Sequence, residues 1–231
     1  MNARIKFSKT GAIRYIGHLD LMRCFQKALR RSAFPIAFTA GYSPHMVMSF
    51  AAPLGVGLIS QGEYLDIELS EPITPFEAIS RLNSALPEEI RILSFRVLDD
   101  KEKSGMAEVA AADYRVSFYG TALPGIDIEK SFLAFLAQPS IVIEKETKRS
   151  SKVVDIKPMI LEGKAEGRDL FLKVLQGSRQ NLNPALVAKA FFEFLKAPYD
   201  RYSFLLERVD LYKNEGDEER PLLRPLDWSE E

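Results

Sequence analysis

Alternating apolar and polar residues predict four strands and two helices in the first hundred residues. RIKFSKTGAIRYI has a period of two, and EYLDIELSE alternates strictly, so that Leu65, Ile67 and Leu69 share one face. IAFTA and IRILSFRVL give two further strands. HLDLMRCFQKALRRS and TPFEAISRLNSAL instead repeat their apolar residues at the period of an amphipathic helix. The predicted order is β-α-β-β-α-β.

Residues at the ends of both helices support this order. Gly17 precedes the first helix, and Pro35 stops it because proline cannot continue a helix. At the second helix Thr74 is placed to cap the N-terminus, Pro75 suits the first helical position and Glu77 completes a capping box. The sequence therefore bounds both helices.

The second half of the chain repeats this pattern in outline. DYRVSFYG, DLFLKVLQ and FLLERVDLYK are predicted strands, DIEKSFLAFLAQ and NPALVAKAFFEFL are predicted helices, and IVIEKETKRSSKVVDIKPMI is a predicted hairpin with a basic tip. We therefore predict an α+β fold of two tandem ferredoxin-like (βαββαβ) domains with antiparallel sheets. The domains span residues 1–100 and 112–213, with a linker at 101–111 and an acidic tail at 214–231.

Composition narrows the class of protein. With 46% hydrophobic and 27% charged residues the chain is typical of a globular protein. The single cysteine, Cys24, excludes an internal disulfide and a cysteine-ligated metal cluster within one chain. No apolar run approaches the roughly 20 residues of a membrane helix, and the start lacks the apolar core of a signal peptide. We expect a cytoplasmic protein that does not associate with membranes.

Charge is distributed unevenly, although the formal net charge is only −1. Residues 1–57 contain eight Lys and Arg against one acid, Asp20, which leaves 23 basic and 31 acidic residues in the rest of the chain. Such a local excess favours an anion-binding surface, and the alternative is a solvated helix face. The predicted RNA-binding residues are four on the first helix, Arg23, Lys27, Arg30 and Arg31, and four at the hairpin tip, Lys145, Lys148, Arg149 and Lys152.

The uncharged stretch GYSPHMVMSFAAPLGVG, residues 41–57, is predicted to be the hairpin between the second and third strands. In a βαββαβ sheet this hairpin and the start of the first helix share one edge, which would bring the only two histidines, His18 and His45, together. With Glu63 they form a candidate acid–base group. The predicted ligand-binding residues around them are Lys9, Arg14, Gly17, Tyr42 and Ser49.

Simpler roles for these histidines stay open. His18 can help to cap its helix, and His45 can satisfy backbone groups in a turn. The two histidines with Asp20 or Glu63 have no spacing diagnostic of a metal site, so we predict no metal ligand. Phosphate-loop, dinucleotide-binding and nucleophile-elbow motifs are also missing from the sequence, and we predict no cofactor.

Two long segments, KFSKTGAIRYIGHLDLMRCFQKALRRSAFP and GYSPHMVMSFAAPLGVGLISQGEYLDIEL, resemble the radical-SAM-linked protein family, a bacterial domain of unknown function. KVVDIKPMI is similar to the K-x-x-D-[IL] segment of that family. Members are fused or genetically adjacent to radical-SAM, cobalamin-binding proteins. This chain lacks the C-x-x-x-C-x-x-C motif, so it resembles the accessory portion only. The family motif would fall on Lys9, Gly11, Arg14, His18, Asp20, Pro44, His45, Ser49, Phe50, Glu63 and Asp66.

These observations favour an accessory protein that binds RNA or a ribonucleoprotein and assists a radical-SAM RNA-modifying enzyme. Two alternatives stay open. One is a metal-independent RNA-processing or acid–base enzyme that uses His18 and His45, and the other is an adaptor that docks a protein through residues 41–57. The sequence does not decide whether the chain is an enzyme.

Overall fold

The computed structural model describes residues 1–146, 151–177, 180–217 and 220–228, and it divides into two compact units. Unit 1 comprises Met1–Ala110 and the chain from Asp210 onward, and unit 2 comprises Ala111–Val209. Unit 1 is therefore built from two separate parts of the sequence.

Unit 1 begins with the predicted β-α-β-β-α-β order, but its first strand ends at Lys9, and Gly11–Tyr15 forms a 3-10 helix where the alternation had predicted a strand. Its elements are β1 (Asn2–Lys9), α1 (His18–Arg31), β2 (Met48–Phe50), β3 (Ile59–Glu68), α2 (Pro75–Ala85), β4 (Ile90–Val97) and a short α3 (Gly105–Glu108). The strands lie in the order β4-β1-β3-β2, and each of these neighbours is antiparallel. Thr74 caps α2 by accepting a hydrogen bond from the backbone N–H of Glu77 at 3.3 Å, as predicted.

The core of unit 1 lies between this sheet and helices α1 and α2. Ala3, Ile5 and Phe7 alternate along β1 and are completely buried. The ring of Phe7 meets Phe25 of α1 edge-on, with 4.8 Å between ring centroids, and Phe50 of β2 at 5.9 Å. Such edge-to-face packing of aromatic rings adds to the free energy of burial. It fixes α1 on one face of the sheet.

The second strand is displaced from its predicted position. At IAFTA, Ile36 and Phe38 make only isolated bridges, and the strand forms instead at Met48–Phe50. A turn over residues 39–45 separates these bridges from the strand: the N–H of Thr39 donates to the carbonyl of His45 at 2.9 Å, and Gly41 adopts a φ of 108°. The connection from β2 to β3 is therefore only residues 51–58, and the prediction that all of residues 41–57 form this connection is wrong, because β2 itself lies within them.

Unit 2 has one more strand than predicted. The elements are β5 (Val109–Phe118), α4 (Ile128–Leu136), β6 (Val142–Glu146), β7 (Ser151–Asp155), β8 (Ile160–Glu166), β9 (Asp169–Leu175), α5 (Pro184–Phe194) and β10 (Phe204–Asn214). Strands β5, β9 and β8 pair antiparallel in that order, and β6 pairs with β7 as the predicted hairpin. Phe132, Phe135 and Phe191 pack their rings together within its core.

The alternation pattern did not predict strand β8, because the residue of this strand that faces α4 is a glycine. A Cβ atom on Gly163 would lie 2.7 Å from Cδ1 of Leu136 in α4, so a side chain there would displace the helix contact. A strand that packs through a glycine lacks the alternating apolar signal on which the prediction depended.

Antiparallel pairing and a mixture of helices and strands confirm the α+β class. The predicted linker includes α3, and β5 begins within it at Val109. Within the predicted acidic tail, β11 (Leu223–Pro225) pairs with the end of β10, and Leu226 is completely buried. The tandem ferredoxin-like arrangement and its domain boundaries stay predictions.

Candidate functional site

Four basic side chains form an exposed stripe on α1, which we call the basic face: Arg23, Lys27, Arg30 and Arg31. Phe25 and Leu29, on the opposite side of the helix, are buried, as the helical period predicted. Lys27 and Arg30 have no hydrogen-bond or ion-pair partner in the part of the chain that the structure describes. Their charges are thus available to a ligand.

The two other members of the basic face have partners within unit 1. Arg23 forms an ion pair with Asp20 at 3.1 Å, and both side chains are more than 60% exposed. Arg31 donates to the backbone carbonyl of Ala85 at the end of α2. Exposed ion pairs contribute little to stability, so an incoming phosphate can replace Asp20 at small cost.

An exposed tyrosine precedes the basic face. Tyr15 is 62% exposed, and the guanidinium carbon of Arg14 lies 4.8 Å from its ring centroid. Nη2 of Arg14 also donates to the Tyr15 hydroxyl at 2.8 Å. The carbonyl of Arg14 accepts from the N–H of Gly57 at 2.7 Å, which ties the β2–β3 loop to this turn. Gly17 then caps α1 with its backbone alone.

The two histidines have different neighbours. His18 is half-buried, and its ring lies edge-on to Phe50 with 5.3 Å between centroids. His45 is exposed in the turn that precedes β2, where Nδ1 lies 3.1 Å from Oγ1 of Thr39 and 3.4 Å from the carbonyl of Ser43. The contacts of His45 are local to its turn, whereas His18 makes no side-chain hydrogen bond at the start of α1 among the described residues. The acid–base pairing of His18 with His45 stays a prediction.

The remaining predicted ligands are in contrasting environments. Tyr42 is fully exposed, whereas Ser49 is half-buried on β2 opposite Asp66. Glu63 is buried on β3, opposite Phe7. Lys9 is also buried, and its Nζ donates to the carbonyl of Ile16 at 3.4 Å. Lys9 thus supports the turn before α1 from inside.

Only part of the second predicted basic group can be described. Lys152 on β7 is exposed. Lys148 and Arg149 lie outside the described residues, and Lys145 is described only as a backbone position of β6.

A buried arginine that the sequence did not single out lies on the sheet face opposite α1 and α2. Arg4 of β1 has a side chain with no exposed surface. Its Nε and Nη2 donate to the two carboxylate oxygens of Asp66 at 2.7 and 3.1 Å. Nη1 donates at 3.0 Å to both Glu108 and the carbonyl of Leu226, and Nη2 donates to the carbonyl of Lys103. Every donor nitrogen of this guanidinium is used.

The electrostatics around Arg4 explain why a charge is tolerated there. Burial alone would lower the pKa of Arg4, but the hydrogen bonds and negative charges of Asp66 and Glu108 outweigh burial and raise it. The N–H of Gly105 also donates to Asp66 at 2.6 Å. A Cβ atom on Gly105 would lie 2.9 Å from Ala51. Arg4 and Asp66 thus hold the segment 103–108 against the sheet.

A second polar group lies next to Arg4 on the same face. The hydroxyl of Tyr64 lies 2.6 Å from a carboxylate oxygen of Asp210 and 2.9 Å from one of Asp227. Lys6 donates to Asp210 at 2.7 Å and lies 5.3 Å from the ring centroid of Tyr64. Burial, followed by the two carboxylates, raises the pKa of Tyr64, so its hydroxyl stays protonated as a donor.

An open cleft of about 630 Å³ borders this polar face in unit 1. It is lined by residues 99–103, Ala107, Glu108 and 213–215, which carry both acidic and basic side chains. One wall contains Glu102, which accepts two hydrogen bonds from Arg96 at 2.6 and 2.7 Å. These bonds lower the pKa of Glu102 to about 2. Because five acidic and three basic residues line it, the cleft is not an evident anion site.

The missed polar face had a signal in the sequence. Arg4 and Lys6 alternate with apolar residues along β1, just as Tyr64 and Asp66 do along β3. Antiparallel pairing of these strands brings Arg4 opposite Asp66 and Lys6 opposite Tyr64. Their distant partners, including Asp227, could not be inferred from period alone.

Nothing described so far forms a metal centre. Within residues 1–146, 151–177, 180–217 and 220–228, no group of three or more His, Cys, Asp or Glu side chains is placed to hold a metal ion. In the same residues, no helix is long and apolar enough to cross a membrane.

Comparison with protein-family models matches residues 2–184 to an uncharacterised family conserved in bacteria, DUF2344. The chain belongs to this family. The match covers all of β1–β4 with the basic face, and it ends at the first residue of α5. It agrees with the bacterial, unknown-function part of the resemblance noted in the sequence. A comparison with curated proteins finds no match.

Proposed function

We propose that unit 1 binds RNA through the basic face of α1. The observation that carries this proposal is the pair Lys27 and Arg30, which are exposed, on one helical stripe and without a partner within the described residues. Phosphate contacts by such side chains supply most of the sequence-independent affinity of proteins for nucleic acids. The basic face thus has the chemistry that a phosphate backbone requires.

The resemblance to the radical-SAM-linked family extends the proposal to a partner. In that arrangement the chain, built as two tandem ferredoxin-like domains, holds RNA for a radical-SAM enzyme that modifies it. The DUF2344 family carries no assigned activity, so binding is the part that can be tested first.

Salt dependence of RNA binding tests the basic face directly. The double variant K27Q/R30Q removes two charges without breaking a described ion pair. For single-stranded RNA, the slope of log affinity against log salt is expected to become shallower by about 1.4, since each phosphate contact contributes about 0.7. Fluorescence anisotropy with a labelled RNA oligonucleotide, between about 50 and 200 mM salt, gives the slope.

A matched control uses two lysines of unit 2. Lys130 on α4 and Lys189 on α5 are exposed helical residues, so K130Q/K189Q removes the same charge elsewhere, and the only described ion pair that it breaks is the exposed pair of Lys189 with Glu193 at 3.8 Å. The control is expected to keep the parent slope. Equal slopes for all three proteins would assign the basic face to a solvated surface and reject the proposal.

A further inference from the structure

We infer that the RNA bound by unit 1 is single-stranded, and that one of its unpaired bases stacks on Tyr15. This inference rests on the proposed function, because it names the class of RNA that the same surface takes. It depends on an aromatic and apolar surface at the start of the basic face, which phosphate binding alone does not explain.

Tyr15 is presented as a stacking platform. Arg14 covers one side of the ring at 4.8 Å, and its hydrogen bond to the hydroxyl holds the ring in place. The residue is nevertheless 62% exposed, so ring surface is open to a ligand. Because the Tyr15 ring is already held in position, its side chain loses less conformational entropy when a base stacks on it.

Two further exposed apolar side chains lie on the segments that adjoin the Arg14–Tyr15 turn. Leu19 on the first turn of α1 is 65% exposed, and Val56 in the β2–β3 loop is 61% exposed. The hydrogen bond between Gly57 and Arg14 holds that loop beside Tyr15. These side chains offer apolar contact to a base or a ribose.

The helix then places cations along the same line. Leu19, Arg23 and Lys27 are separated by four residues each, and positions four apart lie on one side of an α-helix. From Leu19 to Arg30 the stripe rises about 16 Å, at 1.5 Å per residue. A groove or stripe of cations next to an aromatic ring is the common design for binding single strands.

Double-stranded RNA could contact the basic face with its phosphates, but its bases could not stack on Tyr15. Its bases are stacked on each other and cannot reach an aromatic side chain, whereas unpaired bases in loops and single strands can. An acidic protein could pair with the basic face, but it has no base to stack on Tyr15. Stacking thus separates single-stranded RNA from both other partners.

The test compares a labelled single-stranded RNA with a hairpin duplex of similar length. Tyr15→Ala is expected to weaken binding of the single strand on the order of tenfold and to leave the salt slope unchanged, because stacking carries no counterion release. Tyr15→Phe keeps the ring but loses the hydrogen bond from Arg14, so it is expected to bind more tightly than Tyr15→Ala and slightly more weakly than the parent. The duplex is expected to bind more weakly and to respond little to either change.

Tyr202 provides the matched control. It is 71% exposed in unit 2, and the guanidinium of Arg201 lies 4.7 Å from its ring centroid, much as Arg14 does at Tyr15. Tyr202→Ala is expected to bind like the parent. Tyr15→Leu, which keeps apolar bulk without a ring, is expected to behave like Tyr15→Ala, and unchanged thermal unfolding confirms that both variants fold.

The outcomes separate this inference from the proposed function. If K27Q/R30Q flattens the salt slope but Tyr15→Ala binds like Tyr202→Ala, RNA binding stands and stacking on Tyr15 is rejected. Equal affinity for single strand and duplex rejects it as well, as does competition by polyglutamate as strong as that by RNA. Absence of any salt-dependent RNA binding rejects both.

Discussion

At the scale of single residues, Arg4 shows how unit 1 accommodates a charge that is sealed from water. All its donor nitrogens are paired, to Asp66, Glu108 and two backbone carbonyls. Removing one partner from such a group leaves the others without compensation, which is far more damaging than the loss of an exposed ion pair. Arg4 and Arg23 therefore make a useful comparison within one unit.

Arg4→Met is expected to lower the free energy of unfolding by about 3–5 kcal/mol, because it strands the carboxylates of Asp66 and Glu108. Urea denaturation followed by circular dichroism measures the change. Arg23→Met, which breaks the exposed pair with Asp20, is expected to change stability by less than about 1 kcal/mol. Similar losses in both variants would contradict the structural role assigned to Arg4.

Glu102 is expected to make stability depend on pH. Hydrogen bonds from Arg96 lower its pKa from 4.5 to about 2. A carboxyl group with a lowered pKa stabilises the folded chain above its unfolded pKa, and this contribution disappears as the pH falls through the folded pKa. Glu102→Gln should thus be less stable than the parent near neutral pH, with a gap that narrows from pH 4.5 to 2.

Unfolding at a series of pH values measures that gap. Glu71→Gln serves as the control, since Glu71 is exposed and takes part in no ion pair of the described residues. Its difference from the parent is expected to stay constant. If the stability difference between Glu102→Gln and the parent did not vary with pH, this would contradict the lowered pKa that Arg96 gives to Glu102.

At the scale of elements, end signals were the most reliable guide to structure. Thr74 and Pro75 mark a helix start in the sequence, and α2 begins where they predict. Capping depends on backbone groups of the same few residues, so local sequence suffices to specify it. Strand β2 instead depends on a turn closed by Thr39 and His45, which the alternation pattern does not reveal.

The starts of the two helices of unit 1 lead to an element-scale prediction. Thr74→Ala removes the side-chain acceptor for the N–H of Glu77 and is expected to lower stability by about 1 kcal/mol. Gly17 caps α1 without a side chain, its φ is −76°, and a Cβ atom added there would have open space within 4 Å. Gly17→Ser is therefore expected to be neutral or slightly stabilising in thermal denaturation. A loss equal to that of Thr74→Ala would contradict this view of Gly17.

The candidate site was predictable only where it depends on one element. The basic face follows from the helical period, and its exposure was confirmed. Lys9 was predicted to bind a ligand and Glu63 to join the acid–base group, yet both are buried, because strand alternation gives the face on which a residue lies and not how deeply that face is covered. Arg4 was missed because its partners lie as far along the chain as Leu226.

At the scale of the whole molecule, the last part of the chain packs into the folded structure of unit 1. Leu226 has no exposed surface, and its N–H donates to the carbonyl of Leu211 at 3.1 Å. Asp227 bonds to Tyr64 and pairs with Lys6. The segment predicted as an acidic tail thus contributes Leu226 to the core and Asp227 to the polar group around Tyr64.

Leu226→Ala is expected to lower the free energy of unfolding by about 2–5 kcal/mol, the range for truncating a buried leucine. Leu222→Ala, in the same segment but 46% exposed, is expected to change it by about 0.5 kcal/mol or less. Chemical denaturation compares the two variants. Equal small effects would show that the segment is not part of the unit 1 core.

The division of unit 1 in the sequence affects how the protein is made. During translation Met1–Ala110 emerges from the ribosome first. All of Ala111–Val209 must then be synthesised before Leu226 and Asp227 emerge. Until then the nascent sheet lacks the partners that these residues give to Arg4, Lys6 and Tyr64. Nascent chains that are not yet completely folded are prone to aggregate through exposed apolar surface. Because this face carries the charges of Arg4 and Lys6, we expect it to attract less aggregation than an apolar face would while the chain is incomplete.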